Sequence, residues 1–175
     1  MFRSWKLGTV GGVAFYVHST CLLLVALQLF PPLGDAGWPL AVYRLTLLLA
    51  VLGCIVLHEL GHAWMAQRYG IATRDTTLYP LGGVASLERM SEKPSEEFWI
   101  AVAGPAVSVV IASVLRLLTQ ILPDWFPTQV TPRFQPGYLV FHLALINLGL
   151  VAFNLLPAFP MDGGRMLRAL EQRSS

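Results

Sequence analysis

Apolar residues along this chain gather into four blocks, separated by short polar or Pro/Gly-rich breaks. The first runs from about His18 to Phe30 and is closed by Pro31-Pro32. The second, about Leu40 to Ala66, is the clearest. The third, about Phe98 to Leu122, carries a small-residue stretch from Ala101 to Ser108 that includes Pro105. Small residues let membrane helices approach closely, and an internal proline kinks them. The fourth block, about Tyr138 to Leu156, ends in Pro157-Ala158-Phe159-Pro160-Met161-Asp162-Gly163-Gly164. A helix crossing a bilayer needs about 20 apolar residues, so the first block must recruit Val13 to Val17 or sit in a thinned region. The pattern predicts an all-α integral membrane protein with about four transmembrane helices. Two stretches depart from it. Val10 to Val17 is β-prone and punctuated by Gly11-Gly12, and Thr73 to Leu87 mixes Thr, Tyr and Val with Pro80 and Gly82-Gly83. Both read as short β segments associated with the membrane, where their backbone groups must be paired or face a wet cavity. No internal repeat, low-complexity tract or soluble domain interrupts the chain. Residues 1–175 therefore read as a single membrane-embedded core.

Composition strengthens the membrane reading. The 175 residues are 55% hydrophobic and only 13% charged, against about 25% charged in soluble domains. The net charge of +2, with basic residues scattered, speaks against nucleic acid as a partner. Cys21 and Cys54 lie in apolar stretches, match no zinc or redox spacing and read as packing residues. Met1 to Lys6 is basic, but no cleavable signal peptide is read after it.

The positions of the cations matter more than their number. Arg3 and Lys6 precede the first block; Arg68, Arg74, Arg89 and Lys93 lie between the second and third; Arg165, Arg168 and Arg173 follow the fourth. The opposite loops hold Arg133 alone, with Arg44 and Arg116 placed to snorkel toward that side. The excess of Lys and Arg on the cytoplasmic side of membrane proteins puts both termini in the cytoplasm and the chain in the cell (inner) membrane.

At the end of the second block stands His58-Glu59-Leu60-Gly61-His62. On a helix this spacing puts two imidazoles on one face, with a carboxylate next to the first. Two neutral imidazoles begin a Zn²⁺ site, and the glutamate is placed to take a proton from a water the metal activates. Ionisable groups at a membrane helix end are costly and mark function. The orientation puts this motif and Asp162 at the same cytoplasmic face. A catalytic zinc usually takes three protein ligands. The candidates for the third are Asp162, Glu88, Glu96, Glu97, His18 and His142. Asp162 is favoured by context, in a segment broken by Pro157 and Pro160, although Asp-Gly is also a common turn signature.

Together, His58-Glu59-Leu60-Gly61-His62 and the segment from Asn154 to Arg165 resemble the site-2 protease family of intramembrane zinc metalloproteases. Leu81-Gly82-Gly83-Val84-Ala85 and Ala103-Gly104-Pro105 are similar to further segments of that family. The resemblance covers about Gly12 to Leu170 and is to the compact bacterial and archaeal branch, without an inserted PDZ domain. It implies one Zn²⁺ per chain bound by His58, His62 and Asp162, Glu59 as catalytic base, and Asn154 assisting at the active site. It also implies single-pass transmembrane proteins as substrates, such as membrane-tethered transcription factors or anti-sigma factors. Members of the branch commonly continue into further helices, so the sequence reads as a bare catalytic core or a fragment.

In this reading Asn154 hydrogen-bonds the developing oxyanion or the substrate backbone, while Asn147 reads as a helix–helix contact. Trp5, Trp64 and Trp99 read as interface anchors, and His18 as structural or interfacial. The Thr73 to Leu87 segment is a candidate edge for pairing with an unwound substrate. Two alternatives stand beside the protease: a membrane zinc transporter or channel, and a truncated inactive relative. Orientation is testable directly. Single cysteines placed at 34–38 and 128–136 should be labelled by an impermeant reagent from outside the cell, and one at Ser91 should not; labelling at Ser91 contradicts the orientation.

Overall fold

Helical and β periodicities alternate along the chain as the pattern of apolar positions requires. The computed structural model describes residues 4–29, 37–79, 82–87, 91, 93–122, 136–158 and 161–174. A hairpin, β1 (Ser4–Val10) and β2 (Val13–His18), leads into α1 (Thr20–Leu29) and the long α2 (Gly37–Arg68). A second hairpin follows, β3 (Thr73–Tyr79) and β4 (Gly82–Leu87). The chain then forms α3 (Pro94–Ile121), α4 (Pro136–Asn154) and α5 (Asp162–Ser174).

The strands form one sheet in the order β1-β2-β3-β4. Both hairpins are antiparallel, and β2 pairs parallel with β3, Ala14 opposite Asp75 and Val17 opposite Leu78. The first turn is the two residues Gly11-Gly12, with φ of 58° and 84°. Two successive positive φ angles match the right-handed twist of a hairpin and suit glycine. Sequence reading took Val10 to Val17 as one β-prone stretch; the glycines instead reverse the chain, and Ser4–Val10 supplies a partner strand that the reading missed.

The sheet is fixed to α2 by matching two periods. Val13, Phe15 and Val17 share one face of β2, because side chains alternate along a strand. With Leu78 of β3 they pack on Val51, Leu52, Ile55, Val56, Leu60 and Ala63 of α2 and on Leu150 of α4. α2 stops in a tight reversal. The Gly70 amide donates to the Gln67 carbonyl and the Ile71 amide to the Ala66 carbonyl, with Gly70 at φ 71°. This is a Schellman cap, and its apolar partners Ala66 and Ile71 are buried together with Ile100 of α3.

Among the described residues, two helices are long and apolar enough to cross a membrane: the Leu40–Arg68 part of α2, and α3. The apolar part of α4, Tyr138–Asn154, is shorter. Within its described length α1 has 10 residues, about 15 Å, against a hydrocarbon core of about 30 Å. The expected four spans therefore become two long helices, a shorter α4 and a short α1. Their outward faces are apolar: Val42, Leu49, Leu57, Val109, Val110, Val114, Leu117, Leu145 and Leu148 are all exposed. In water such faces would be an aggregation hazard, and against lipid tails they are the stable arrangement. α5 was not anticipated, because its 13 residues carry several charges.

Two glycine substitutions should have opposite effects on melting in detergent. Nothing stands within 4 Å of a Cβ added at Gly12 or at Gly53. Gly12→Ala forces a left-handed conformation and should destabilise by about 1–2 kcal/mol. Gly53→Ala, in the middle of α2, should stabilise by about 0.5–1 kcal/mol. A stabilising Gly12→Ala would contradict the hairpin geometry.

Candidate metal centre

His58 and His62 lie four residues apart on α2, so both imidazoles project from one helix face. Asp162 opens α5 and faces them. His58 Nε2 is 3.2 Å from Asp162 Oδ2 and 3.2 Å from His62 Nε2. His62 Nε2 is in turn 3.2 Å from Asp162 Oδ2. The three atoms make a near-equilateral triangle, and all three residues are buried. Among the described residues they form the one group of three or more His, Cys, Asp or Glu side chains able to hold a metal ion.

The tautomers fit a cation. His62 Nδ1 lies 2.7 Å from the Ile100 carbonyl oxygen, which only accepts. His62 Nδ1 therefore donates, and in the neutral ring Nε2 is left with a bare lone pair. His58 Nδ1 is 3.0 Å from the Ser108 hydroxyl, which can accept in the same way. Two imidazole lone pairs and a carboxylate oxygen then converge. A tetrahedral zinc site with bonds of about 2.0–2.1 Å has neighbouring ligand atoms roughly 3.3–3.4 Å apart. The 3.2 Å triangle fits that edge and leaves a fourth position open.

α3 contributes no corner of the triangle but determines its shape. Ile100, Gly104 and Ser108 lie on its buried face. A Cβ at Gly104 would overlap the His62 ring, and one at Gly61 would stand 2.8 Å from the Ala103 carbonyl oxygen. These two glycines let α2 and α3 approach closely enough for His62 to reach the Ile100 carbonyl and His58 the Ser108 hydroxyl. At the other end, a Cβ at Gly163 would collide with the carbonyls of Leu155 and Leu156, so this glycine seats α5 against the end of the preceding segment. Sequence reading noted the small-residue run in α3 as packing. It missed Ile100 and Ser108 as imidazole partners, because a carbonyl has no signature and the serine lies 50 positions from His58.

Glu59 is buried and close enough to His58, His62, Asp162 and Arg165 to feel their charges. Gly83 of β4 stands over it: a Cβ there would lie 2.6–2.7 Å from Cγ, Cδ and Oε1 of the Glu59 side chain. The other ligand candidates lie elsewhere or outside the described residues. Glu97 is buried in ion pairs with Arg165 and Arg168. Glu96 pairs with Lys93 and Ser91. His18 bonds Thr20 and stacks near Tyr79, and His142 bonds Tyr43. Glu88 lies outside the described residues. Asn154 is the last residue of α4 and half-buried. Asn147 is fully buried and donates to the Leu143 carbonyl of its own helix, not to a neighbouring helix as expected. Cys21 and Cys54 are free and buried, in keeping with packing roles. Trp5, Trp64 and Trp99 are exposed, as interface anchors would be.

Two imidazoles on an apolar helix, closed by a carboxylate from a distant segment, make a candidate metal centre beside a membrane span. Comparison with known proteins agrees. The profile of peptidase family M50 matches residues 46–135 and 130–175. The chain belongs to this family, the site-2 proteases, whose cofactor is zinc. It is 35% identical over 171 residues to a zinc metalloprotease of Methanocaldococcus jannaschii, covering 97% of this chain and 46% of that one. A Synechocystis protein with a provisional zinc-metalloprotease name is 35% identical over 180 residues, covering 97% and 45%. The solved structure of a site-2 protease from Methanocaldococcus jannaschii superposes with a TM-score of 0.76 at 34% identity, over 98% of this chain and 73% of that chain. The chain spans just under half the length of these two curated relatives.

Two substitutions test the role of α3. Ser108→Ala and Gly104→Ala should each weaken zinc binding about 10–100-fold, the usual cost of losing the partners that orient metal-bound imidazoles. Zinc retention against a graded chelator measures this, and parent-like retention in both variants would contradict the account.

Proposed function

We propose that this chain is a zinc metalloendopeptidase that cuts single-pass membrane proteins inside the bilayer, near its cytoplasmic face. His58, His62 and Asp162 are the metal ligands, Glu59 is the catalytic base, and Asn154 assists at the active site. Residues 1–175 act as one membrane-embedded core in the cell (inner) membrane, crossing it several times, with both termini in the cytoplasm. The observation that carries this reading is the 3.2 Å triangle of two imidazole lone pairs and a carboxylate at the end of a membrane helix.

The chemistry follows from the residues. Bound zinc supplies a Lewis acid and brings the pKa of its water down to about 7. Ser108 and the Ile100 carbonyl hold the protons on the Nδ1 atoms, so both Nε2 lone pairs stay aimed at the ligand triangle. Glu59, beside His58 and enclosed by Gly83, takes the proton from the attacking water and passes it to the leaving amine. Asn154, at the end of α4, donates a hydrogen bond to the developing oxyanion or to the substrate backbone. A membrane-spanning substrate arrives as a helix with its peptide bonds shielded. It must unwind, and β4, last in the sheet, offers an edge for the extended segment. Cleavage near the cytoplasmic face then releases a cytoplasmic fragment, as regulated intramembrane proteolysis of a tethered regulator requires.

Glu59→Gln tests the assignment. Glutamine keeps the shape and loses the proton cycle, so the variant should keep its zinc and its fold. Cleavage of a tagged single-pass protein should fall by about 10²–10⁴-fold or more. Uncleaved substrate should co-purify with the variant. Undiminished cleavage removes Glu59 from the mechanism. Zinc flux into liposomes without any cleavage by the parent protein favours a transporter instead.

A further inference from the structure

Asp162 closes the triangle from the first turn of α5, where the Gly164 and Arg165 amides donate to the Met161 carbonyl and Gly163 packs on the carbonyls of Leu155 and Leu156. Those contacts hold only the start of the helix; side chains further along α5 tie it to α3. Apart from Asp162 itself, α5 makes a polar contact with α3, 71 positions away in sequence, where Arg168 donates to Glu97 Oε1. Arg165 Nε lies 3.8 Å from the same oxygen. Glu97 is 5% exposed. A carboxylate this buried is costly unless it is paired, which distinguishes the contact from ordinary surface ion pairs.

The place of Glu97 on α3 is informative. It lies on the same buried face as Ile100, Gly104 and Ser108. Ile100 orients His62, Gly104 makes room for its ring, and Ser108 orients His58. One face of one helix thus touches both imidazoles and, through Glu97, grips the helix that begins with Asp162.

Building on the ligand set proposed above, the geometry points to Glu97 and Arg168 as a positioning pair that sets the Asp162 carboxylate against the imidazoles. Glu97 is not a ligand in this arrangement, because its carboxylate is engaged by two guanidinium groups. The forked Arg168 guanidinium fixes direction as well as distance, which an ammonium would not. α3 then serves as the template for all three ligands while supplying none.

The test uses the whole chain in detergent, with two readouts: zinc affinity by chelator competition, and the visible absorption of the Co²⁺-substituted protein, which reports ligand geometry. Glu97→Gln should raise the zinc Kd about 10-fold or more and alter the Co²⁺ bands. The charge-exchanged double variant Glu97→Arg with Arg168→Glu should recover part of the loss. Tyr43→Phe, which removes a hydrogen bond between α2 and α4 at His142, should change neither readout. Should Glu97→Gln fail to accumulate, Arg168→Lys, which keeps the charge and loses the fork, is scored in the same way. Parent-like Kd and spectrum in the scored variant overturn the proposal. Asp162→Asn in the same assay separates the two levels. If it loses zinc while Glu97→Gln does not, the positioning pair alone is wrong. If it binds zinc as the parent does, the ligand set falls, and this inference with it.

Discussion

Two imidazole nitrogens and a carboxylate oxygen within 3.2 Å of one another make a costly buried site unless a proton or a metal ion lies among them. The Ile100 carbonyl makes this constraint strict. By taking the Nδ1 proton of His62, it leaves no proton on the neutral ring for Asp162 or His58. Much of the surrounding structure answers that constraint. α2 supplies two of the acceptors one helical turn apart, α5 brings the third from 104 positions away, and α3 fixes their orientation from behind. The glycines at 61, 104 and 163 mark the places where these elements come closer than any other residue permits.

The membrane shapes the rest. Helices that expose Leu49, Leu57, Val110, Leu117 and Leu145 need lipid around them. The sheet lies along α2 beside the candidate metal centre. Its last strand brings Gly83 over Glu59, so the proposed base is enclosed on one side by backbone alone.

Much of this was legible in the sequence, for identifiable reasons. His58 and His62 announce themselves because a helix converts a four-residue spacing into a shared face. Asp162 stood out because a carboxylate among prolines and glycines at a membrane helix end has little else to do. The β segments showed through their glycines and β-branched residues. The failures have equally physical causes. β1 was overlooked because its partner lies across a two-glycine turn and its residues are largely exposed, which erases the apolar alternation. The parallel pairing of β2 with β3 depends on two intervening helices, which no local pattern encodes. Glu97 was weighed as a ligand because its charge was visible and its arginine partners, on a different helix, were not.

The central claim is a zinc held by two imidazoles and one carboxylate, with a fourth position open. Zinc K-edge X-ray absorption on the purified protein tests it most directly. The account predicts a nitrogen and oxygen shell of four at about 2.0–2.1 Å, with the multiple scattering of two imidazoles and no sulfur. Asp162→Ala should disturb that shell, while replacement of Cys21 or Cys54 should not. A sulfur shell near 2.3 Å, or a single imidazole, would contradict the account.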